Sequence, residues 1–96
     1  MMAVFMQIKL PVTTEQYDAL NARMQKEGPE FFTGCLAHIA VAESGGGVTV
    51  TDLWESREAL EAFQERMMPI AAELDLPRPE NPPTTAEAHN YWVPGT

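Results

Sequence analysis

The chain has 96 residues, of which 45% are hydrophobic and 21% are charged, and its net charge is −8. These values predict a single globular domain over residues 1–96. The acidic charge argues against nucleic acid and against anionic membranes as partners. Cys35 is the only cysteine, which excludes an internal disulfide and favours a cytoplasmic location. No signal peptide or membrane span is predicted.

The first two predicted elements are a strand and a helix. Residues 2–10 (MAVFMQIKL) are apolar at both parities, which is typical of a strand covered on both sides. Pro11 ends it. Thr13 then fits the N-cap of a helix, with Gln16 three residues later completing a capping box. Gly28-Pro29 predicts the end of this helix.

The middle of the chain predicts a β-hairpin. Residues 35–42 (CLAHIAVA) and 48–54 (VTVTDLW) are strand-like, and the five residues ESGGG between them form the loop. A second helix begins after Ser56, which can cap it.

The last part of the chain predicts a short helix, a connector and a strand. Pro69 suits the first turn of a helix, which predicts a short added helix over residues 69–75. The segment PRPENPPTT predicts an extended connector. Residues 86–93 (AEAHNYWV) predict a fourth strand.

The order strand, helix, strand, strand, helix, strand is typical of an α+β ferredoxin-like (βαββαβ) fold. This fold has an antiparallel sheet with both helices on one face. The other face then needs a cover, and Phe5, Leu36 and Trp54 are expected on it. A second copy of the sheet would supply that cover, so we expect a homodimer.

A polar pair interrupts the two hairpin strands. With a five-residue loop, His38 lies opposite Asp52 and Leu36 opposite Trp54, close enough for the imidazole and the carboxylate to hydrogen-bond. A four-residue loop would instead set Ile39 opposite Asp52. The first register is favoured because it sorts the polar residues onto one face.

We expect His38, Asp52 and Trp54 to face away from the helices and to line a cavity. The residues expected on the helix side are Cys35, Ala37, Ile39, Val41 and Leu53. An aspartate beside a histidine orients the ring and favours its protonated form, whereas burial opposes the charge. Such a pair can act as a general base, or it can be a satisfied polar contact that fixes strand register.

The element order, the segment VTVTDLWESREALEAFQER and the closing AHNYWVP resemble the dimeric α+β barrel superfamily, in its antibiotic biosynthesis monooxygenase-like branch. The resemblance covers nearly the whole chain. It implies a homodimer whose two sheets form a barrel, with one small-molecule pocket per subunit. The superfamily includes cofactor-free oxygenases of aromatic polyketides, polyketide cyclases resembling olivetolic acid cyclase, and haem-degrading enzymes.

The resemblance to each branch can be compared on named residues. Haem-degrading members resemble this chain at Gln7 and Trp54, but they need a histidine in the next helix, and residues 56–68 have none. Cyclases use a histidine–tyrosine pair, for which His38 or His89 and Tyr17 or Tyr91 are available. Oxygenases use a loosely defined polar pocket, for which this sequence offers His38, Asp52, Trp54 and Gln7.

The resemblance therefore implies a cofactor-free enzyme that acts on a small apolar or aromatic molecule, and the sequence shows no metal-site motif. His38, oriented by Asp52, would be the catalytic base for an oxygenation. A polyketide cyclase or isomerase and a non-catalytic ligand-binding dimer are the alternatives. The expected substrate-binding residues are Trp54, Phe5, Gln7, Leu36, Tyr17, His89 and Tyr91.

Overall fold

The computed structural model describes residues 3–95. Its sheet has four antiparallel strands in the order β2-β3-β1-β4, which confirms the ferredoxin-like α+β fold. The elements in chain order are β1 (Val4–Leu10), α1 (Thr14–Gln25), a 3₁₀ turn (Pro29–Phe32), β2 (Cys35–Ala42), β3 (Val48–Trp54), α2 (Arg57–Glu73) and β4 (Thr84–Glu87). The predicted first strand began at Met2, which lies outside the described residues.

Both long helices begin at the predicted caps. The backbone N–H of Gln16 donates to Thr13 Oγ1 at 3.0 Å, and Thr13 N–H donates to Gln16 Oε1 at 2.9 Å, so the capping box of α1 is complete. Ser56 Oγ accepts from the N–H of Ala59 at 3.1 Å at the start of α2. These caps set where each helix starts relative to the strand before it.

The β2–β3 hairpin has the predicted register over most of its length. Ala42 pairs with Val48 and His38 pairs with Asp52 across a five-residue loop. Gly46 and Gly47 in that loop have φ of 99° and 91°, a conformation that favours glycine. The predicted pairing of Leu36 with Trp54 is wrong, because a β-bulge between Cys35 and Ala37 sets Cys35 opposite Trp54.

The predicted assignment of sheet faces is wrong for most of the hairpin. Trp54 and Asp52 lie on the helix side, in line with Val50 and Val48 on β3, and with Val4 and Met6 on β1. The alternation VTVT in β3 indicates which side faces the helices, since the valines are buried and the threonines are only partly buried. Ala37, Ile39, Val41 and Leu53 have the opposite parity, so of the residues expected on the helix side only Cys35 packs there.

The last two elements differ from their predicted bounds. α2 continues through Pro69 to Glu73, and no separate helix starts at 69. The ring of Pro69 is exposed, and the cost of its missing N–H is outweighed by packing of Ile70, which is buried in the cluster formed by α1, α2 and the 3₁₀ turn. β4 covers Thr84–Glu87 instead of 86–93 because its antiparallel pairing reaches the start of β1, at Val4, by Glu87.

The face of the sheet opposite the helices, called the open face below, is not covered by any helix or strand of residues 3–95. Ile39 and Val41 are 58% and 50% exposed there. Phe5 lies opposite Leu53 on the same face, and Gln7 donates to Thr51 Oγ1 at 3.0 Å. An apolar patch of this kind on a small domain marks an interaction surface.

Candidate active site

The predicted acid–base pair forms between β2 and β3. His38 Nδ1 lies 2.6 Å from Asp52 Oδ1. A carboxylate can only accept hydrogen bonds, so Nδ1 carries the proton and, in the neutral ring, Nε2 is left as the acceptor. The register of the hairpin therefore orients a histidine whose Nε2 lone pair points away from the aspartate.

The carboxylate of Asp52 is held on its other side by an indole. Trp54 Nε1–H donates to Asp52 Oδ2 at 3.1 Å, so each carboxylate oxygen has a partner. Asp52 is 4% exposed and Trp54 is 1% exposed. These two hydrogen bonds offset the cost of burying the carboxylate, and they reduce the freedom of His38 to rotate.

Tyr17 completes the chain of polar contacts from the helix side. Its hydroxyl lies 2.5 Å from His38 Nε2, and the two rings are nearly parallel, with an interplanar angle of 6°. Tyr17 is on the first turn of α1, where the capping box fixes the helix start. Burial raises the pKa of the Tyr17 phenol, and the negative charges of Asp52 and Asp18 raise it further. At neutral pH the phenol is therefore protonated and donates to Nε2.

A cavity of about 150 Å³ lies beside this chain, between the sheet and the two helices. Met6 and Val50 form its floor on the sheet, and Leu20, Phe63 and Met67 are on its helix walls. Tyr17, His38, Asp52 and Gln64 are the lining residues with polar side-chain atoms, and the lining is otherwise apolar. The arrangement can hold a small apolar molecule against the hydroxyl of Tyr17 and the imidazole of His38.

The structure brings together only part of the predicted site. His38, Asp52 and Tyr17 line the cavity, and Trp54 acts behind Asp52 without lining it. The predicted location of His38, Asp52 and Trp54 against a partner sheet is wrong, because these residues lie on the helix side. The two hydrogen-bond partners of Asp52, His38 and the buried Trp54, explain the difference, since they allow a carboxylate in a core position.

The remaining predicted binding residues lie elsewhere. Phe5 and Gln7 are on the open face, and Leu36 is at the bulge and largely exposed. His89 and Tyr91 follow β4, are exposed, and do not line the cavity. The predicted strand 86–93 had placed these two residues in the sheet, but pairing with β1 ends at Glu87.

Sequence reasoning missed lining residues of the cavity that come from α2 and from the connector after it. Gln64 is on α2, and Leu76, Pro77 and Pro79 come from the connector after it. The connector has no periodic pattern, so its sequence predicts an extended segment but not where that segment packs. A signal was present for Leu76, since an apolar residue just after a helix commonly packs back on the last turn.

A second, wider groove of about 740 Å³ lies at the far end of β1. It is lined by residues such as Lys9, Pro11, Gly47 and Asn81, and it includes neither His38 nor Asp52. Most of its lining residues are exposed, so a ligand there would stay largely in contact with water. Its binding would therefore bury little apolar surface. We therefore place the candidate active site at the smaller cavity.

Three further points concern metal-ligand groups, membrane-spanning helices and the thiol of Cys35. Among residues 3–95 no group of three or more His, Cys, Asp and Glu side chains is arranged to hold a metal ion. No helix in the described part of the chain is long and apolar enough to cross a membrane. Burial raises the pKa of the Cys35 thiol, and the charge of Asp52 raises it further, so the thiol is protonated at neutral pH.

Comparison with solved structures identifies the fold. A protein assigned as an antibiotic biosynthesis monooxygenase from Chloroflexus aurantiacus matches with a TM-score of 0.68 at 20% identity, over 97% of this chain and 99% of that one. This chain has the fold of the antibiotic biosynthesis monooxygenase-like proteins. A dimeric ferredoxin-like protein from an uncultured marine organism matches with a TM-score of 0.62 at 7% identity, over 97% and 93% of the two chains.

A third match was solved with a ligand. The ActVA-Orf6 monooxygenase of Streptomyces coelicolor, in complex with nanaomycin D, has a TM-score of 0.54 at 18% identity, over 97% of this chain and 91% of that one. No family model and no curated protein matches the sequence. The resemblance predicted from the sequence is confirmed at the level of the fold.

Proposed function

We propose that the protein is an enzyme of secondary metabolism that removes a proton from a small, largely apolar molecule with His38 as the base. The observation that carries the proposal is the hydrogen-bonded chain Tyr17–His38–Asp52 at the edge of an apolar cavity. A buried carboxylate, an oriented imidazole and an adjacent binding space are the parts that general base catalysis needs.

The proton path follows from which atoms are already occupied. Asp52 holds Nδ1 of His38, so the proton must arrive at Nε2, where the Tyr17 hydroxyl now sits. A substrate hydroxyl or acidic C–H can displace Tyr17 and donate to Nε2 directly. Alternatively, it donates to the Tyr17 oxygen while the Tyr17 proton moves to Nε2. In both cases Asp52 stabilises the imidazolium that forms.

The leading reaction is an oxygenation without a cofactor, with dioxygen as co-substrate. The deprotonated carbon forms a C–O bond to dioxygen and gives a hydroperoxide. The O–O bond then breaks, water leaves with the remaining hydrogen of that carbon, and a carbonyl is formed. The monooxygenase-like proteins of the same fold support this class of reaction.

An aldol-type cyclisation or isomerisation is the second candidate. It is favoured by the contact of Tyr17 with His38, since a protonated phenol beside a base can donate to a carbonyl oxygen while the base removes an α-proton. The raised pKa of Tyr17 keeps this donor protonated. No oxygen is consumed in that reaction, so the two candidates are separable.

We also propose that the protein is a homodimer joined through the open face. Two exposed aliphatic residues of β2, Ile39 and Val41, are on that face, and the fold is shared with a dimeric ferredoxin-like protein. A cytoplasmic location remains part of the proposal, because the single cysteine allows no internal disulfide.

The test is oxygen uptake by the wild type and by two matched histidine variants, with a panel of phenols and anthrones. His38→Gln should lower the rate by at least about 100-fold, the usual contribution of a general base. His89→Gln should leave it unchanged, because His89 is exposed and does not line the cavity.

The outcomes separate the candidate functions. Substrate loss without oxygen uptake, abolished in His38→Gln, favours cyclisation or isomerisation. Equal rates in the wild type and in His38→Gln contradict a His38 base in either reaction. A ligand that binds but is never converted favours the non-catalytic ligand-binding dimer.

A further inference from the structure

The cavity beside Tyr17 and His38 is small for a ligand site. Its volume is about 150 Å³, whereas pockets for drug-sized molecules are roughly 300–1,000 Å³. An apolar cavity of roughly 150 Å³ accommodates one molecule of benzene. The available space therefore corresponds to about one aromatic ring.

The charge of the lining restricts the ligand further. Of the described residues that line the cavity, none is Lys or Arg, and Asp52 brings a buried carboxylate. A ligand carboxylate would be desolvated there without a cation and would face a like charge. Gln64, Tyr17 and His38 offer hydrogen bonds to an uncharged hydroxyl or carbonyl instead.

One wall of the cavity is formed by residues that follow the end of α2. Asp75 has a φ of 53°, and this left-handed residue turns the chain back on the helix. Asp75 N–H donates to Ala72 O at 3.0 Å, and Leu76 N–H donates to Ala71 O at 3.1 Å. This pair of bonds is the Schellman motif, and it directs the side chain after the turn onto the last turns of the helix.

Leu76 is the residue that this motif sets against the cavity. Its side chain packs in the cluster that contains Leu20, Met24 and Ile70, and it lines the cavity together with Pro77 and Pro79. The prolines fix the backbone φ on both sides of residue 78, which reduces the number of conformations open to this part of the connector.

We infer that the cavity takes one uncharged single-ring ligand with a hydroxyl or carbonyl group directed at Tyr17 and His38, and that Leu76 limits its size. The inference rests on the proposed function for the role of the site, but it makes its own claim about binding. It narrows the substrate class from apolar or aromatic molecules in general to single-ring phenols and compounds of that size.

The test measures binding of three probes that differ in one property each. These are 4-methylphenol, with one neutral ring, 1-naphthol, with two fused rings, and 4-methylbenzoate, with one ring and a negative charge. Binding constants come from calorimetry. The site is located by NMR from the indole N–H signals, because Trp54 contacts Asp52 whereas Trp92 is exposed.

For the wild type we expect 4-methylphenol to bind at least tenfold more tightly than either other probe and to shift the Trp54 signal only. Leu76→Ala should raise the affinity for 1-naphthol at least tenfold and leave 4-methylbenzoate excluded. Leu74→Ala is the matched control, since Leu74 packs in the same cluster without lining the cavity, and it should not admit 1-naphthol. Leu76→Val replaces Leu76→Ala if the latter does not fold.

Several results would overturn the inference. These are equal binding of 1-naphthol or 4-methylbenzoate to the wild type, no binding of 4-methylphenol at millimolar concentration, or the same gain in Leu74→Ala as in Leu76→Ala. Binding of 4-methylphenol without any turnover of one-ring compounds leaves this inference standing and counts against the proposed function. Turnover of two- or three-ring substrates by the wild type supports the proposed function and counts against this inference alone.

Discussion

The two faces of the β2–β3 hairpin use neighbouring residues in opposite ways. On the helix side His38 and Asp52 are polar, but every hydrogen-bonding atom of the buried carboxylate has a partner. On the open face Ile39 and Val41 are apolar and are 58% and 50% exposed. The buried face thus contains the charge and the exposed face contains the hydrophobic surface, the reverse of the usual distribution.

The difference shows what each face needs in order to be stable. A buried carboxylate is stable where the fold supplies donors, here an imidazole and an indole from the same two strands. An exposed aliphatic patch has no such solution within one chain, and only another surface can remove it from water. On the helix side, the hydrogen bonds of the carboxylate are satisfied by residues of the same chain. On the open face, we propose that a second copy of the chain covers the aliphatic patch.

The largest expected effect is on the open face. Ile39→Asp should weaken self-association by about 100-fold or more, because it buries an unpaired charge in the proposed interface. The fold should be retained, since Ile39 is exposed within the chain. Sedimentation velocity over a concentration series measures the effect.

Met68→Asp is the control for this prediction. Met68 is 64% exposed but lies on α2, away from the open face, so its replacement should leave association unchanged. A wild type that is monomeric at all concentrations, or equal effects of the two variants, contradicts the proposed dimer.

The next largest effect is expected on the helix side of the hairpin, at Asp52. Asp52→Ala removes the acceptor of both His38 Nδ1–H and Trp54 Nε1–H, and the indole donor would be left buried without a partner. We expect a loss of about 2 kcal/mol in the free energy of unfolding, measured by urea denaturation. Asp18→Ala, at an exposed position of α1, should change stability by less than about 0.5 kcal/mol. Similar losses in the two variants would show that the hydrogen bonds of Asp52 add nothing.

A pH titration tests whether Tyr17 on α1 contacts the His38–Asp52 pair of the hairpin. Its pKa is raised by burial and by Asp52, so the absorbance step that Tyr17→Phe removes should have its midpoint above 10. In Asp52→Asn that midpoint should move to lower pH. Because the folded pKa is the higher one, the phenol stabilises the fold fully below the unfolded pKa, and this contribution is lost as the pH rises through the folded pKa. A midpoint that does not respond to Asp52→Asn contradicts the contact.

The smallest expected effect concerns Cys35. Burial and the charge of Asp52 raise the pKa of its thiol, so reaction with a disulfide reagent at pH 8 should be slower than in urea-unfolded protein. In Asp52→Asn the rate should rise by a factor of less than about ten, because only the second cause is removed. An unchanged rate in this variant would indicate that the carboxylate does not influence the thiol.

Local signals in the sequence predicted the elements and one decisive contact. The caps at Thr13 and Ser56 depend on residues within three positions, and the glycine loop sets the hairpin register that pairs His38 with Asp52. These interactions are short-range, so the residue types alone indicate them.

Tertiary packing decided what the local signals left open. The side of the sheet that carries Asp52 depended on donors from Trp54 and His38, which allowed a carboxylate among core residues. The continuation of α2 through Pro69 depended on burial of Ile70, and the length of β4 depended on where β1 begins. In each of these cases, contacts with residues far along the chain decided the outcome against a local preference.

By itself, then, the sequence determined the order of strands and helices, their caps and the His38–Asp52 pair, since neighbouring residues specify them. Only the tertiary structure decided that the pair faces the helices, that Tyr17 meets His38, and that Leu76 lines the cavity. Tyr17 is 21 residues from His38, and Leu76 lies on a connector without periodicity. The local turn sets Leu76 on α2, but the contact of Tyr17 with His38 and the cavity that Leu76 lines both follow from how α1 and α2 pack on the sheet.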